Sequence, residues 1–355
     1  MMDRPVAALQ QSFLRTKTRD LKDFLKVADL KSNSSNNTIF ASAKGEIAYL
    51  HPQFVPRRDD RFDYRRPVDG SDPATDWGPL HAIAELPNAI NPPNGWVHNE
   101  NNWPYRAAGP NSPDPKRFPK YMDMFGENFR GIHGLQLLTG SNGWTLERLQ
   151  AAAFDTYQPG FAQLVPSLLK AYDSLPKRDA RRARLAGPIG ALRGWNFRWS
   201  GDSVAQSLAM FWVDGLMKSL AGPADETINS RTLRLTRDTT ATQKLAALTS
   251  AVARLRKDFG WWQIPWGEIN RFQRVSRAID HPFSDKAPST PIPFASGRWG
   301  SLASVGSAPK AGTAVPAGWH LVYLTPNGTE SPLGVDGTDT TFNALAPYTR
   351  RMWAG

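Results

Sequence analysis

In Asn37-Thr-Ile-Phe-Ala-Ser-Ala-Lys-Gly-Glu-Ile-Ala-Tyr-Leu50, two short apolar segments lie on either side of a glycine turn. The segments cover residues 38–40 and 47–50, and they carry the β-branched and aromatic side chains that strands favour. Gly45 supplies the positive φ that a tight turn needs. The pattern predicts an antiparallel β-hairpin.

From residue 51 to residue 109 the chain is rich in Pro, Asp and Arg, which predicts long irregular loops of the kind that often carry function. Near the end of this region lies the segment Asn91-Pro-Pro-Asn-Gly-Trp-Val-His-Asn-Glu-Asn-Asn102, which we call the Asn-rich motif. The motif combines a turn, a strand-like segment over residues 96–98 and the pair Asn101 and Asn102. A neutral amide can donate its N–H group to the oxyanion of a tetrahedral intermediate. On its own, however, an Asn pair after a turn is most often a turn or cap residue.

Apolar residues recur at helical spacing along much of the remaining chain. Thr18 and Thr145 are suited to cap the N-termini of helices, and Pro166 is expected to kink or restart a helix. Leu146 and Leu149 fall on the predicted buried face of the helix after Thr145. The pattern predicts helices over residues 3–31, 128–171, 175–191, 204–220 and 245–257, and weak strands over residues 319–324 and 340–345.

The composition is that of a folded, basic protein without cysteine. The 355 residues include 13 Trp and 17 Phe, which argues against disorder, and no apolar run reaches the ~20 residues of a membrane-spanning helix. The absence of Cys excludes disulfides, thiolate zinc sites and a Cys nucleophile. The net charge of +11 is scattered among acidic residues, which favours solvated surfaces. A basic, Trp-rich, non-catalytic module that binds nucleic acid or glycan is the alternative interpretation.

The order of hairpin, Pro- and Arg-rich loop and Asn-rich motif resembles the middle of the large subunit of penicillin acylases and acyl-homoserine lactone acylases. A later series supports the resemblance: Pro265-Trp-Gly-Glu-Ile-Asn-Arg-Phe-Gln-Arg274, then Phe283-Ser-Asp, then Pro291-Ile-Pro-Phe-Ala-Ser-Gly-Arg-Trp-Gly-Ser-Leu-Ala-Ser304. The resemblance covers about residues 10–306. It implies an α/β (α+β) fold, namely part of the αββα sandwich of N-terminal-nucleophile hydrolases with a large, mostly helical region.

The same resemblance implies a division of the chain. Residues 1–127 would form part of the catalytic sheet and the active-site loops, and residues 128–260 the helical region. Residues 261–355 would return to the catalytic core and end in an atypical tail. The family's usual closing segment is not recognised after Gly306.

Two site residues follow from the resemblance. Asn101 would be the oxyanion donor, and Arg130, at a helix start 29 residues later, would orient Asn101. A guanidinium suits this role because its rigid fork of donors can lock carbonyl groups in place. The alternative is a surface Arg130 paired with Glu127.

The nucleophile of these acylases is a Ser that becomes a free N-terminus, whose hydroxyl attacks the amide while its own α-amine takes the proton. The matching position would lie upstream of Met1. We therefore expect a large-subunit fragment, whether a truncated or frame-shifted product or a separate subunit. Its partner would be the missing N-terminal part or small subunit, and the isolated chain would have little or no activity.

The implied reaction removes an acyl side chain from an amide of β-lactam, acyl-homoserine lactone or lipopeptide type, which would connect it to antibiotics or quorum quenching. The chemistry requires no cofactor. Part of the family carries a structural calcium ion, for which the loop of residues 57–76 and Asp114 offer oxygen atoms. We expect the parent enzyme to be periplasmic or secreted, with neither nucleic acid nor membrane as a partner.

Overall fold

The computed structural model describes residues 4–32, 36–123, 126–222, 226, 228–272, 290–293, 297–302, 306–309 and 322–325. The chain divides into two units, Met1–Asn142 and Gly143–Gly355. The first contains a small antiparallel sheet and long loops, and the second is mostly helical. The predicted α+β class is confirmed.

The predicted hairpin forms the centre of the first unit. Strands β1 (Thr38–Ala41) and β2 (Ile47–Leu50) pair antiparallel, with Ile39 opposite Tyr49, and Gly45 has a φ of 81° in the turn. A short third strand that the sequence pattern did not reveal, β3 (Ala89–Ile90), pairs with the other edge of β2. The sheet order is therefore β1-β2-β3.

Both faces of this sheet are covered. On one face, Ala48 and Leu50 pack with apolar side chains of helix α2 (Leu21–Ala28). On the other, Tyr49 packs against Ala89, Ala107 and Ala108. The end of β2, Ala48 to Leu50, is thus buried between a helix and the loop that follows the Asn-rich motif.

The single helix predicted over residues 3–31 is wrong, because the chain forms two helices there. Helix α1 (Pro5–Arg15) ends before Thr18, whose hydroxyl donates to the Arg15 carbonyl instead of capping a helix. Asp20 caps α2 by accepting from the Asp23 amide at 2.9 Å. The local hydrogen bond of Thr18 therefore stabilises the break between the helices.

The region between the hairpin and helix α3 (Phe129–Thr139) consists of irregular loops with short 3-10 turns, as predicted. Residues 96–98 are not a strand, contrary to the prediction, since the pairing is limited to the His98 amide and the Ala107 carbonyl, 2.8 Å apart. The 3-10 turns are Pro73–Thr75, Ile83–Glu85, Pro104–Arg106, Gly109–Asn111, Pro115–Arg117 and Lys120–Met122.

The second unit is built from seven helices in the part of the chain that is described. Its buried core includes Phe161, Leu168, Leu208 and Leu248. Trp212 lies in the same core and donates its indole N–H to the Lys244 carbonyl at 3.0 Å. The helices are α4 (Leu146–Ala153), α5 (Pro159–Asp173), α6 (Ala180–Arg193), α7 (Val204–Ser219), α8 (Ile228–Asp238), α9 (Ala241–Phe259) and α10 (Trp266–Ile269).

Two predictions for these helices differ from the structure. Pro166 does not restart a helix, because it lies inside the continuous α5, where Val165 and Leu168 on either side of it are fully buried. Leu146 and Leu149 are 78% and 50% exposed, so α4 buries no apolar face. The Thr145 cap is confirmed, since its hydroxyl accepts from the Arg148 amide.

Later strands are short. Arg271–Phe272 pairs with Thr290–Pro291, and Gly306–Pro309 pairs with Val322–Thr325. The strand predicted over residues 319–324 is confirmed for residues 322–324, while residues 319–321 and the strand predicted over residues 340–345 lie outside the described residues. So do Arg274 and the Phe283-Ser-Asp segment. Among the described residues, no helix has both the length and the apolarity required to cross a membrane.

Candidate active site

The Asn-rich motif is attached to the hairpin by side-chain amides. Asn91 exchanges two 2.9 Å hydrogen bonds with Ile47, one through its backbone N–H and one through its side-chain oxygen. Asn37, just before β1, donates to the Asn99 side-chain oxygen at 2.9 Å. The sheet therefore fixes both ends of the segment that leads to Asn101.

Asn101 is exposed and has a φ of 54°, a left-handed conformation that Asn adopts more readily than most residues. Arg130 donates from Nη2 to Asn101 Oδ1 at 2.7 Å. A guanidinium can only donate, so the amide oxygen of Asn101 faces Arg130 and its NH₂ group points away. The structure thus brings the two predicted site residues together, with an amide donor on the exposed side.

The second terminal nitrogen of Arg130 contacts an acid that the sequence analysis did not single out. Arg130 Nη1 donates to Glu100 Oε2 at 3.1 Å, and both side chains are mostly buried. The alternative pairing of Arg130 with Glu127 is not what the structure shows, because Glu127 pairs with Arg106 at 3.3 Å. Arg130 therefore bridges two consecutive residues of the motif.

Asn128 joins the motif to helix α3. Its side-chain oxygen accepts from the Gly131 amide at 2.8 Å and so caps the helix. Its NH₂ group donates to the carbonyl oxygens of Glu100 at 3.0 Å and Asn101 at 3.3 Å. One side chain thus starts the helix that carries Arg130 and holds the backbone of the residues that Arg130 contacts.

Asn102 and Glu127 complete this network. Asn102 is buried, accepts from the Glu100 amide at 3.0 Å and donates to Glu127 Oε1 at 2.9 Å. Glu127 also accepts from the Asn128 amide at 2.9 Å and from the Trp103 indole at 3.3 Å. Asn102 is therefore a structural residue, and Asn101 is the member of the pair whose amide is exposed.

Two glycines allow α3 to lie this close to the motif. A Cβ atom at Gly131 would collide with Asn102 Nδ2 and Glu127 Oε1. A Cβ atom at Gly134, one turn later, would lie 3.3 Å from His98 Nδ1. The spacing Asn128-x-x-Gly131-x-x-Gly134 was visible in the sequence, and its meaning depends on contacts with residues about 30 positions earlier.

Burial shifts the titration of two groups in the site. It raises the pKa of the Glu100 carboxyl to about 7, although neighbouring Arg130 acts in the opposite direction. It lowers the pKa of His98, whose Nε2 donates to the Arg106 carbonyl at 3.0 Å. The acid next to Asn101 therefore changes its charge near neutral pH, while His98 stays neutral there.

The loop acids that offer oxygen atoms for calcium already have partners within the protein. Asp59 and Asp63 each form a salt bridge to the Arg two residues further on, and Asp114 accepts from the Lys116 amide. Within the described ranges, no cluster of three His, Asp or Glu could hold a metal ion. Calcium binding stays an untested prediction.

The tryptophans bear on the alternative interpretation as a nucleic-acid or glycan module. Such a module stacks bases or sugars on exposed aromatic rings. Of the tryptophans that the structure describes, two are exposed, four are buried and the others are half-buried. The exposed ones are Trp77 and Trp261, and the buried ones are Trp195, Trp212, Trp266 and Trp299. This distribution favours core packing over a stacking surface.

The chain resembles known proteins over most of its length. A family model described as penicillin amidase matches residues 2–326. Among solved structures, a thermostable penicillin G acylase from Alcaligenes faecalis matches with a TM-score of 0.53 and 19% sequence identity. The match covers 71% of this chain and 52% of that one, so the chain spans about half the length of that acylase. At this identity the likeness concerns the fold alone.

Proposed function

The chain belongs to the penicillin amidase family, and from that membership we propose that it supplies the oxyanion-binding part of an active site that hydrolyses a linear amide. In this proposal the Asn101 NH₂ group donates to the oxygen that becomes negative when the amide carbonyl is attacked. The observation that carries it is the 2.7 Å hydrogen bond from Arg130 to Asn101 Oδ1, which turns the amide donor toward the exposed side.

A neutral donor suits this task. It stabilises the charge that develops in the transition state without binding a ground-state carboxylate strongly, and its position costs nothing at the moment of reaction when it is already fixed. Asn101 is fixed by Arg130 at its side chain and by Asn128 at its backbone carbonyl. Removal of one such donor typically lowers kcat by about 10²–10³-fold.

We further propose that the nucleophile is the serine that the family resemblance implies, located in polypeptide outside the printed sequence. Its hydroxyl would attack the carbonyl carbon, its own α-amine would take the proton, and Asn101 would hold the oxyanion. On this proposal the printed chain alone has no appreciable turnover. The substrate would carry its acyl group on a β-lactam nucleus, a homoserine lactone or a lipopeptide.

The first test is reconstitution. The chain is co-produced with the in-frame polypeptide encoded immediately upstream, and hydrolysis of chromogenic phenylacetyl and long-chain acyl amides is measured. Activity is expected from the pair and not from the printed chain alone. Turnover by the purified printed chain would contradict the proposed origin of the nucleophile, and so would the absence of an acylase-like coding sequence upstream.

The second test removes the donor. Asn101→Ala in the reconstituted enzyme is expected to lower kcat by about 10²–10³-fold with a much smaller effect on KM, because the hydrogen bond strengthens in the transition state. Asn111→Ala is the matched control, since Asn111 is an exposed amide that contacts Asn94 at 3.2 Å. Full activity of the Asn101→Ala enzyme would refute the role of Asn101.

A further inference from the structure

Glu100 is a mostly buried acid immediately before Asn101, and the proposed reaction assigns it no task. It is held at three points. Its amide donates to Asn102 Oδ1, its carbonyl accepts from Asn128 Nδ2, and its carboxyl accepts from Arg130 Nη1. A carboxyl kept in this position despite the cost of burial invites a functional explanation.

Building on the function proposed for Asn101, we propose that Glu100 is a positioning residue, whose ionised carboxylate aims the Asn101 amide by holding the Arg130 guanidinium between the two side chains.

The geometry of the guanidinium gives the mechanism. Its terminal nitrogens belong to one rigid plane, so a carboxylate that fixes Nη1 also fixes the direction in which Nη2 donates. Nη2 is the atom that holds Asn101 Oδ1, and the position of that oxygen determines where the Asn101 NH₂ group points. A hydrogen bond to an ionised acid is roughly twice as strong as one between neutral groups. Protonation of Glu100 would therefore weaken its hold on the Arg130 guanidinium.

The charged groups around Glu100 are few among the described residues. Arg130 faces it from α3 and is the group whose charge acts on its titration. His98 lies on the same side of the motif, near Gly134, and burial keeps it neutral near pH 7. Glu127 is connected to Glu100 through Asn102 and through Asn128, and it is paired with Arg106.

Because burial raises the pKa of Glu100 to about 7, both of its charge states are populated near neutral pH. Titration of Glu100 should therefore be detectable at Asn101, which has no titratable group of its own. A residue that stayed neutral over this pH range would not produce this effect.

The experiment follows the side-chain amide of Asn101 by NMR in the full chain, with ¹⁵N-labelled asparagine. The Asn101→Ala variant identifies the signal. From about pH 5 to pH 9 we expect this signal to shift in one step with a midpoint near pH 7, where Glu100 titrates. In Glu100→Gln the step should be absent, and the signal should match that of the wild-type chain at low pH.

Glu85→Gln is the matched control, because Glu85 also pairs with an arginine, Arg57, in the same unit and away from Asn101. It should leave the Asn101 step unchanged. If Glu100→Gln does not fold, Arg130→Lys gives a second test, since an ammonium lacks the planar fork and should uncouple Asn101 from the titration.

A wild-type Asn101 signal that does not titrate would overturn the proposal, as would a step that persists in Glu100→Gln. The measurement needs no turnover, so its result is independent of whether the reconstituted pair is an acylase. Loss of activity in Asn101→Ala together with a flat NMR profile would keep the oxyanion role and reject that of Glu100.

Discussion

At the scale of single residues, Asn128 combines two functions that usually belong to different side chains. Its oxygen caps α3, and its NH₂ group holds the carbonyls of Glu100 and Asn101. An Asp would preserve the cap but present an oxygen to two carbonyl oxygens, whereas a Ser would be too short to reach both. The full set of contacts therefore requires an amide at this position.

Replacing Asn128 by Ala should cost more stability than the loss of an ordinary cap. A missing cap costs about 1 kcal/mol, and each partly buried carbonyl left without its donor adds a penalty of about 1 kcal/mol. Thr145→Ala is the control, because Thr145 caps α4. We expect Asn128→Ala to lower the free energy of unfolding in urea by about 2–4 kcal/mol and Thr145→Ala by about 1 kcal/mol. Equal losses would contradict the double role.

The sequence was sufficient to single out Asn101 and Arg130, because an amide after a turn and an arginine at a helix start matched a known order of motifs. Their 2.7 Å contact joins residues 29 positions apart. The same sequence gave no reason to select Glu100 or Asn128. Acids and asparagines are common in loops and at caps, and what distinguishes these two is burial among residues that are distant along the chain.

At the scale of elements, α3 can lie close to the Asn-rich motif because two of its residues are glycines without a side chain. Gly131 and Gly134 lie on the helix face that meets Asn102, Glu127 and His98. Glycine weakens a helix by about 1 kcal/mol relative to alanine. The close approach of α3 to the motif therefore comes at the expense of helix propensity.

Gly131→Ala tests this balance between close packing and helix propensity. The gain in helix propensity is about 1 kcal/mol, but the new methyl group would collide with Asn102 and Glu127, and such overpacking costs about 1–3 kcal/mol. We expect a net loss of stability and a displaced Arg130. Gly190→Ala in α6 is the control, because a Cβ there meets nothing within 4 Å and should stabilise the protein. Thermal unfolding of both variants decides the matter, and stabilisation by both would contradict the packing described for α3.

The elements themselves were only partly predictable. The hairpin, the Thr145 cap and the α7 helix follow from local patterns that the structure retains. The continuation of α5 through Pro166 was not predictable from the local sequence. The burial of Val165 and Leu168 offsets the cost of a proline inside a helix. Strand β3 has two residues and forms only because β2 offers an edge, so no local pattern could indicate it.

At the scale of the whole molecule, two buried groups give opposite pH dependences of stability. Burial lowers the pKa of His51 to about 4, so the unfolded chain binds more protons below about pH 6.5 and stability falls as the solution is acidified. Burial raises the pKa of Glu100 to about 7, so the folded chain binds more protons between about pH 4.5 and pH 7. Acidification through that range therefore adds stability from Glu100.

In Glu100→Gln, the pH dependence of the free energy of unfolding should show the contribution of His51 without the opposing one of Glu100. One pKa unit corresponds to about 1.4 kcal/mol, so each of the two shifts is worth up to about 3 kcal/mol. We expect the free energy of unfolding of the variant to fall by about 2–3 kcal/mol more than that of the wild type between about pH 7.5 and pH 5. Urea denaturation at the two pH values measures this difference. Parallel pH profiles would show that Glu100 is not protonated in the folded protein at pH 5.

The attachment of the Asn-rich motif to the hairpin also bears on what happens if the backbone is cut. Gly70 is exposed, and it lies in the long connection between β2 and β3. The contacts from Ile47 to Asn91 and from Asn37 to Asn99 join the two sides of that connection without depending on it. A nick there would leave two polypeptides held by strand pairing and amide contacts, so the site around Asn101 would survive as a non-covalent complex. Strand pairing and the amide contacts, rather than an unbroken backbone between β2 and β3, hold this part of the molecule together.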